Sequence, residues 1–282
     1  MKQIDTRLSL EDICEELGLK PQFLLALADQ ASCMYRTFDL PKRSGGVRTI
    51  SVPDDRLKGV QRLILDVILS RLEMPPHLHG CIKGRSIVTN AEPHAGKPLV
   101  IQIDLSDFFG SIKFHRIKEI FETRFGFDEK AADTFARLTT YGNFLPQGAP
   151  TSPILANIAG FDLDRAILSI CTENSPTFRY DYTRYVDDLT ISGDMPLARL
   201  LGEFYRAIEK CGFRANPKKL RAARASDRQK VTGIVVNERA NAPKKLIRRV
   251  RQQVYYCKKF GYWNHCKKIG VDPIRFFQHK VK

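Results

Sequence analysis

Long apolar runs are missing from this 282-residue chain, and no stretch approaches the roughly eighteen apolar residues that a membrane-spanning helix requires. The opening segment, MKQIDTRLSLEDICEELG, is charged and lacks the apolar centre of a signal peptide. We therefore expect no membrane span and no secretion leader, and we expect the protein to act in the cytoplasm.

Paired cysteine motifs are also missing. The seven cysteines are scattered, odd in number and never spaced as CxxC. This usage is typical of reduced thiols in a cytosolic protein rather than of a disulfide framework or a zinc site. Cys257, His265 and Cys266 are near one another in the sequence, but a fourth ligand is lacking, which argues against a structural zinc centre.

Acidic residues are scarce at the C-terminal end. Residues 211–282 contain 20 Lys and Arg against 3 acids, whereas the first 210 residues contain 26 basic and 28 acidic residues. Such a concentration of positive charge repels itself unless a polyanion is nearby, although a solvated basic face is the simpler alternative. Aromatic residues are interleaved with these cations, a pairing that suits a nucleic-acid backbone and stacked bases. They are Tyr255, Tyr256, Phe260, Tyr262 and Trp263.

Strand and helix patterns alternate without the regular period of repeated βαβ units, so the sequence predicts an α+β fold. A capping box at Ser9–Asp12 and the proline at Pro21 predict two N-terminal helices, whose low basic charge disfavours a DNA-reading helix-turn-helix. Gly45 and Gly46 predict a β-hairpin within residues 40–53. Further helices are expected at 56–73, 116–140, from 154, near 196–210 and from 243, and further strands at 98–109 and 230–237.

Two adjacent carboxylates, Asp187 and Asp188, interrupt the strand-forming run TRYVDDLTIS. Acids in the middle of such a run predict a tight hairpin with both side chains at its tip. Asp104 ends another apolar strand, VIQIDL. Clustered carboxylates are suitable ligands for paired Mg²⁺ ions, which relieve their repulsion and can promote nucleotidyl transfer. A solvated turn is the alternative for so short a motif.

Three motifs together resemble the reverse transcriptase family. DLSDFF with Asp104, QGAPTSP at 147–153 and YVDD at 185–188 occur in the family's order and spacing. The resemblance implies a right-hand polymerase fold with fingers, a palm whose antiparallel sheet carries the aspartates, and a basic helical thumb. It also implies two catalytic Mg²⁺ ions. Their implied ligands are the carboxylates of Asp104, Asp187 and Asp188, with the backbone carbonyl of Leu105.

Other positions acquire nucleotide-binding roles from the same resemblance. PKRSGGVRTI is similar to the fingers hairpin, in which Lys42 and Arg48 would grip the triphosphate of an incoming dNTP. Phe109 matches the steric gate that excludes a ribose 2′-OH, while Phe108 is the expected core residue because strand neighbours face opposite ways. The alternatives are a solvated basic hairpin and a core phenylalanine.

Three further residues follow the family pattern near the reaction centre. Gln147 would line the nucleotide pocket, and Tyr185 would lie under the primer end unless it is a simple strand aromatic. Lys219, in NPKKL, resembles a lysine that could protonate pyrophosphate, against the alternative of a solvated or phosphate-contacting lysine. Leu220 departs from the threonine that usually follows.

Two shorter motifs resemble signatures of bacterial retron reverse transcriptases. NAEPH, from Asn90 to His94, is similar to their NAxxH motif, and Val231, Thr232 and Gly233 match their VTG motif. His94 receives no chemical role here, and RNA contact and local scaffolding stay open. The resemblance implies a cognate structured non-coding RNA as partner, DNA synthesis from a guanosine 2′-OH, a branched RNA–DNA product called msDNA, and a separate effector protein in anti-phage defence.

We expect three segments: N-terminal helices at 1–35, fingers and palm at 36–240 and a basic thumb at 241–282. The thumb would grip the RNA stem and the RNA–DNA hybrid. Its candidate RNA-binding residues are Lys244, Lys245, Arg248, Arg249 and Arg251. Family thumbs usually continue further, and IRFFQHKVK at 274–282 resembles the start of a helix. We therefore expect a truncated thumb, a short one or one that another subunit completes.

Rival interpretations come from different classes. An RNA-dependent RNA polymerase would share the metal chemistry, but Phe109 argues against it. A reverse transcriptase of the group II intron or abortive-infection type is a second alternative, but NAEPH together with VTG favours the retron type. A catalytically silent RNA-binding scaffold would not need the three aspartates.

Overall fold

A four-stranded antiparallel sheet carries the candidate site in the computed structural model, which describes residues 7–42, 45–174 and 179–273. Its strands are β3 (Leu99–Asp104), β4 (Tyr180–Tyr185), β5 (Asp188–Gly193) and β6 (Arg221–Arg224). They lie in the order β4–β5–β3–β6, so β3 and β5 are the inner strands. Inner strands are covered on both faces, and accordingly their aliphatic residues are almost fully buried.

Helices surround this sheet. The α-helices are α1 (Leu10–Leu17), α2 (Pro21–Gln30), α3 (Asp55–Leu63), α4 (Ile87–Ala91), α5 (Phe108–Ser111), α6 (Phe114–Phe125), α7 (Glu129–Thr139), α8 (Ser152–Ala159), α9 (Phe161–Glu173), α10 (Leu201–Lys210), α11 (Lys244–Phe260) and α12 (Tyr262–Lys268). Shorter helical turns span Ala31–Cys33, Ile64–Ile68, Leu69–Arg71, Glu92–His94, Met195–Leu200 and Pro217–Lys219. One apolar cluster extends from Leu10 to Phe213 and contains residues of α1 and α2 together with sheet residues. The N-terminal helices therefore share the core of the sheet.

A capping box begins the first helix, as the sequence predicts. Ser9 accepts a hydrogen bond from the Asp12 N–H at 3.2 Å, and the Asp12 carboxylate accepts one from the Ser9 N–H at 2.9 Å. Gly18 ends the helix with φ of +66°, and Pro21 opens the next helix. The predictions for both N-terminal helices are confirmed.

The fingers hairpin is a separate two-stranded ribbon of β1 (Tyr35–Pro41) and β2 (Val47–Pro53). Gly45 and Gly46 have φ of +85° and +82°, and the Lys42 N–H donates to the Gly46 carbonyl at 3.0 Å. The hairpin predicted from the glycine pair is confirmed. Nearly all of β1 is exposed, so core packing holds little of this ribbon.

The strand expected at 98–109 is wrong at its C-terminal end. β3 ends at Asp104, and Asp107 has φ of +45°, which lies outside the region of φ that strands occupy. Helix α5 then begins at Phe108, so Phe108 and Phe109 are helical neighbours rather than strand neighbours. Phe108 is nevertheless the buried ring, as expected, and Phe109 is only partly buried.

A single strand at 230–237 is also wrong. The segment forms a small hairpin of β7 (Lys230–Val231) and β8 (Ile234–Val235). Thr232 and Gly233 form its turn, with φ of +45° and +89°. Positive φ at two successive residues gives the tight turn that joins antiparallel strands.

The basic C-terminal region is helical, as predicted, through α11 and α12. Helix α11 contains no buried residue. The helix start expected at 274–282 lies outside the described residues. No helix in the described ranges combines the length and the apolarity needed to cross a bilayer.

Candidate active site

The three predicted metal-binding aspartates meet at one end of the central sheet. Asp104, the last residue of β3, is the register partner of Asp188, the first residue of β5. Asp187 lies in the turn before β5, and its carbonyl accepts a hydrogen bond from the Leu105 N–H at 2.9 Å. Strand pairing therefore brings together carboxylates that are more than eighty positions apart in the chain.

Burial and crowding raise the pKa of two of these carboxyls. The pKa of Asp188 rises to about 6, because burial disfavours its charged form and the charges of Asp187 and Asp104 repel it. Burial also raises the pKa of Asp187. The site therefore concentrates negative charge that a cation would stabilise.

The negative charge is opposed by three cations from different parts of the chain, Lys219, Arg48 and Arg221. Lys219 places its ammonium nitrogen 2.7 Å from Oδ1 of Asp104. The neighbouring segment is fixed to the same strand end, because the Asn216 N–H donates to the Asp104 carbonyl at 2.8 Å. Arg48 on the fingers ribbon acts on Asp187, where its charge and that of Lys219 oppose the rise in pKa. The positive charge of Arg48, the predicted triphosphate-binding arginine, therefore acts on Asp187 across the site.

The donor set fits divalent magnesium. Asp104, Asp187 and Asp188 offer carboxylate oxygens, and within the described ranges no three Asp, Glu, His or Cys side chains are arranged as a ready metal cluster. Mg²⁺ binds oxygen ligands, keeps several waters and is usually held by one or two carboxylates together with substrate phosphates. The three carboxylates match that preference in donor type, and Lys219 and Arg48 offset only part of their negative charge.

The QGAPTSP loop lies against the fingers ribbon. The Ser51 N–H donates to the Gln147 carbonyl at 2.8 Å. Gly148 has φ of +130°, and a Cβ there would lie 2.8 Å from the Ser51 carbonyl oxygen. Glycine is therefore required both for the backbone conformation and for the close approach. The loop therefore packs directly against β2, the strand that carries Arg48.

A segment that the sequence did not indicate supports the YVDD turn. The His79 N–H donates to the Arg184 carbonyl at 2.9 Å, and the Arg184 N–H donates to the His77 carbonyl at 2.9 Å. A Cβ on Gly80 would lie 2.5 Å from Cγ2 and 2.6 Å from the backbone nitrogen of Val186. Gly80 therefore allows the segment to pack directly under the turn between Tyr185 and Asp187. In the sequence, the segment shows only a glycine in a loop. A loop glycine does not predict which distant residue it packs against.

The NAEPH motif is part of the scaffold behind the sheet. His94 is fully buried, and its ring nitrogens each lie 2.7 Å from a hydroxyl, Nδ1 from Ser192 and Nε2 from Thr183. Burial lowers the pKa of His94 to about 4, so the ring is neutral at physiological pH. Asn90 is fully buried as well. These observations favour local scaffolding over RNA contact for both residues.

The two retron-type motifs contact each other. The Asn90 amide Nδ2 lies 3.4 Å from Oγ1 of Thr232, and that hydroxyl donates to the Ile87 carbonyl at 3.0 Å. Val231 is buried in a small apolar cluster with Ala91, whereas Gly233 is exposed. The VTG turn therefore fastens to the NAEPH helix through its first two residues and presents its third to solvent.

The predicted thumb cations all lie on the surface of α11. The exposed residues are Lys244, Lys245, Arg248, Arg249 and Arg251. Among the interleaved aromatics, Tyr255 and Trp263 are also exposed. This surface is basic and aromatic, as a nucleic-acid-binding surface requires.

Comparison with known proteins decides the family. Residues 40–236 match the model of the family described as reverse transcriptase (RNA-dependent DNA polymerase). The chain belongs to the reverse transcriptase family. The matched range contains the aspartates and both retron-type motifs.

Curated relatives include retron reverse transcriptases. Retron Mx65 reverse transcriptase of Myxococcus xanthus is 39% identical over 72% of this chain and 51% of its own length. Retron Mx162 reverse transcriptase, also of Myxococcus xanthus, is 34% identical over 89% and 59%. Retron Ec86 reverse transcriptase of Escherichia coli is 29% identical over 92% and 82%. These similarities confirm the resemblance to retron reverse transcriptases, although the chain spans only about half the length of the two Myxococcus relatives.

Solved structures agree on the fold. A telomerase from Candida tropicalis, truncated from its C-terminal domain, superimposes with a TM-score of 0.51 at 12% identity, covering 80% of this chain and 61% of that one. A telomerase from Candida albicans in complex with a telomeric RNA fragment gives 0.50 at 11% identity, with 83% and 50% covered. The α+β chain therefore has the right-hand polymerase fold that the motifs implied.

Proposed function

We propose that this chain is an RNA-directed DNA polymerase that copies a cognate structured RNA. The observation that carries the proposal is the meeting of Asp104 and Asp188 through the β3–β5 register, with Asp187 beside them. Three carboxylates at one strand end, opposed by Lys219 and by the charge of Arg48, suit a reaction in which a polyanionic nucleotide and metal ions must be held together.

Each residue has a distinct part in the proposed reaction. The carboxylates of Asp104, Asp187 and Asp188, with the Leu105 carbonyl, would hold two Mg²⁺ ions, which would supply activation of the attacking hydroxyl and compensation of phosphate charge. Arg48 and Lys42 hold the triphosphate of the dNTP, Arg48 through a planar fork and Lys42 as a point charge. Lys219 lies at the strand end from which it can donate a proton to the departing pyrophosphate.

Substrate choice rests on partly buried side chains around this centre. Phe109 packs against the core beside the fully buried Phe108, which fixes the position of its ring. A fixed ring can exclude a ribose 2′-OH and so favour dNTPs. Gln147 lines the nucleotide pocket, and Tyr185, which is paired with Asp188 across the turn, supports the primer end.

The similarity to retron enzymes supports a more specific proposal. The chain binds a structured non-coding RNA in the bacterial cytoplasm, begins DNA synthesis at a guanosine 2′-OH of that RNA and produces branched msDNA. It acts with a separate effector protein in anti-phage defence. The exposed cations of α11 bind the RNA stem and the hybrid, so binding weakens as salt concentration rises.

The test is to co-express the protein with the RNA encoded beside its gene and to isolate the nucleic acid. The wild type should yield a short DNA that loses mass with RNase and gains a free 5′ end with debranching enzyme. The double variant Asp187→Asn/Asp188→Asn should yield none. Asp29→Asn, at an exposed carboxylate on α2, is the matched control and should behave as the wild type.

Each other outcome has a definite meaning. RNA binding without DNA synthesis by the wild type would contradict the polymerase and favour a silent scaffold. DNA without a branch would contradict 2′-OH priming and favour another reverse transcriptase lineage. DNA synthesis by the Asp187→Asn/Asp188→Asn variant would contradict the assignment of these two aspartates as metal ligands.

A further inference from the structure

A buried arginine lies directly behind the YVDD turn. Arg184, in β4, has a fully buried side chain. Its guanidinium forms a two-pronged pair with Asp164 of α9, Nε to Oδ1 and Nη2 to Oδ2, both at 2.7 Å. The Tyr182 hydroxyl donates to the same carboxylate at 2.7 Å. Burial opposes ionisation of Asp164, but the charge and hydrogen bonds of Arg184 hold its pKa below the usual value. The pair is therefore ionic.

One of the three remaining donors of this guanidinium reaches the turn, and the other two bind Asn157 of α8. Nη1 donates to the Val186 carbonyl at 3.1 Å and to Oδ1 of Asn157 at 3.4 Å, and Nη2 donates to the Asn157 carbonyl at 2.9 Å. All five N–H donors of Arg184 thus have acceptors. One of those acceptors belongs to the residue between Tyr185 and the catalytic aspartates.

Val186 needs such support. Its φ is +59°, a conformation that a β-branched residue adopts only at an energetic cost. The backbone keeps this conformation only if the surroundings fix it. Asn157 assists, because its Nδ2 donates to the carbonyl of Gly80 at 2.8 Å, and Gly80 packs against Val186.

We propose that Arg184 is a positioning residue for the polymerase reaction: Asp164 orients its guanidinium, and the guanidinium fixes the Val186 carbonyl so that Asp187 and Asp188 face Asp104. The proposal rests on the proposed polymerase function. It assigns Asp164 and Arg184, neither of which touches substrate, the task of setting the geometry of the metal ligands.

Stability alone does not account for the arrangement. A buried ion pair gains little over apolar residues of the same volume, because removing two charges from water costs much of what their attraction returns. What apolar residues cannot provide is a donor fixed in direction toward one carbonyl. Lysine cannot provide it either, because it lacks the planar fork that binds Asp164 and Val186 together.

Gly160 shows how closely the site is fitted to the guanidinium. A Cβ there would lie 2.5 Å from Nη2 and 2.6 Å from Cζ of Arg184. Gly160 has φ of −83°, so alanine suits its backbone and only the arginine stands in the way. Gly160→Ala therefore displaces the guanidinium without changing any charge.

The experiment compares Arg184→Lys and Gly160→Ala with the wild type in the full chain. Leu24→Ala, a buried substitution in α2, is the control for loss of stability away from the turn. Two measurements are made: hydrogen–deuterium exchange of the peptide spanning 184–190 without nucleotide, and kcat and KM for dTTP on oligo(dT)-primed poly(rA) across a Mg²⁺ series. Thermal melting gives the folded fraction for each protein.

We expect faster exchange at 184–190 in both variants and a fall in kcat of roughly 10- to 100-fold per folded molecule. KM for dTTP should stay within about 3-fold of the wild type, since the triphosphate contacts are unchanged. Leu24→Ala should lower the melting temperature but keep the wild-type kcat and exchange at the turn.

Wild-type kcat per folded molecule and unchanged exchange in Gly160→Ala would overturn the proposal, even if Arg184→Lys fails to fold. A loss of activity matched by Leu24→Ala at equal folded fraction would also overturn it, by assigning the pair to stability alone. A wild type that incorporates no nucleotide contradicts the polymerase instead, and the exchange measurement then still tests whether Arg184 fixes the turn.

Discussion

The ammonium of Lys219 lies 2.7 Å from Oδ1 of Asp104, although 115 positions separate the two residues. Any divalent cation that binds Asp104 competes with this ammonium for the same carboxylate. The Lys219 side chain is half exposed while Asp104 is mostly buried, so water screens the pair from the lysine side and its contribution is small. Under the proposed function, Lys219 therefore influences both the binding of metal and the release of pyrophosphate.

Lys219→Met should separate these two effects. Loss of the competing ammonium should lower the Mg²⁺ concentration for half-maximal activity by about 2- to 5-fold, in line with a partly exposed ion pair. Loss of the proton donor should lower kcat by about 10- to 100-fold. Steady-state incorporation across a Mg²⁺ series measures both. Lys219→Arg keeps the charge and should leave the Mg²⁺ dependence near that of the wild type; an unchanged dependence in Lys219→Met would contradict the competition.

Gly80→Ala should impair catalysis more than folding. The added methyl group would meet the backbone of Val186, which cannot move without moving the aspartates that follow. We expect a loss in kcat of roughly 100-fold. The stability loss should be about 1–3 kcal/mol, as for an overpacked site. Gly59→Ala, in α3 with open space around the position, is the control and should keep full activity. Equal activity of the two variants would show that the turn tolerates displacement.

Phe109→Val should weaken sugar discrimination. The smaller side chain leaves room for a ribose 2′-OH, so the preference for dTTP over UTP should fall by about 100-fold. Competition between the two nucleotides on primed poly(rA) measures the ratio directly. Phe109→Tyr keeps the ring and should keep the preference. If Phe109→Val keeps a strong preference for dTTP over UTP, another residue excludes the ribose 2′-OH and Phe109 is only a core side chain.

His94 should make the fold sensitive to acid. Its folded pKa of about 4 lies below the value near 6.5 of the unfolded chain, so the unfolded state binds the extra proton between these values. The contribution of the neutral ring is complete above about pH 6.5 and is lost as pH falls toward 4, with a total on the order of 3 kcal/mol.

Urea unfolding at several pH values between 5 and 7.5 tests this dependence. His94→Gln should be less stable than the wild type at pH 7.5, because two buried hydroxyls lose their partner. Its stability should also fall less steeply toward pH 5. His79, whose pKa burial likewise lowers to about 4, preserves part of the slope. The exposed His115 supplies the control His115→Gln, and a wild-type slope in His94→Gln would refute the assignment.

Local sequence signals account for the parts of the site that lie on single elements. Asp104 at a strand end and the acids of the YVDD turn were recognisable because a carboxylate in a strand-forming run is costly unless a cation compensates for it. Distant partners left no such signal. The contacts of Asn90 with Thr232, and of Gly80 with Val186, depend on how elements pack, and each residue alone resembles an ordinary loop or helix position.

The two wrong strand predictions have a shared physical cause. Apolar and β-branched residues in 230–237 suggested one strand, but Gly233 allowed a reversal in its middle. The apolar run before Asp104 suggested continuation to 109, but Asp107 left the extended region. The composition of a stretch of residues indicates its average preference for strand structure. One residue with positive φ within the stretch is nevertheless enough to end the strand.

The division between a four-stranded sheet and a two-stranded ribbon has a dynamic consequence. The aspartates proposed as metal ligands lie at one end of a sheet whose inner strands are buried, which places them next to a part of the fold that resists local opening. Arg48 and Lys42 lie at the exposed end of a two-stranded ribbon that is buried only near Ser51 and Pro53, and such a ribbon by itself is marginally stable. Under the proposed function, this difference lets the ribbon admit and release nucleotides by local motion while the carboxylates keep their positions on the sheet.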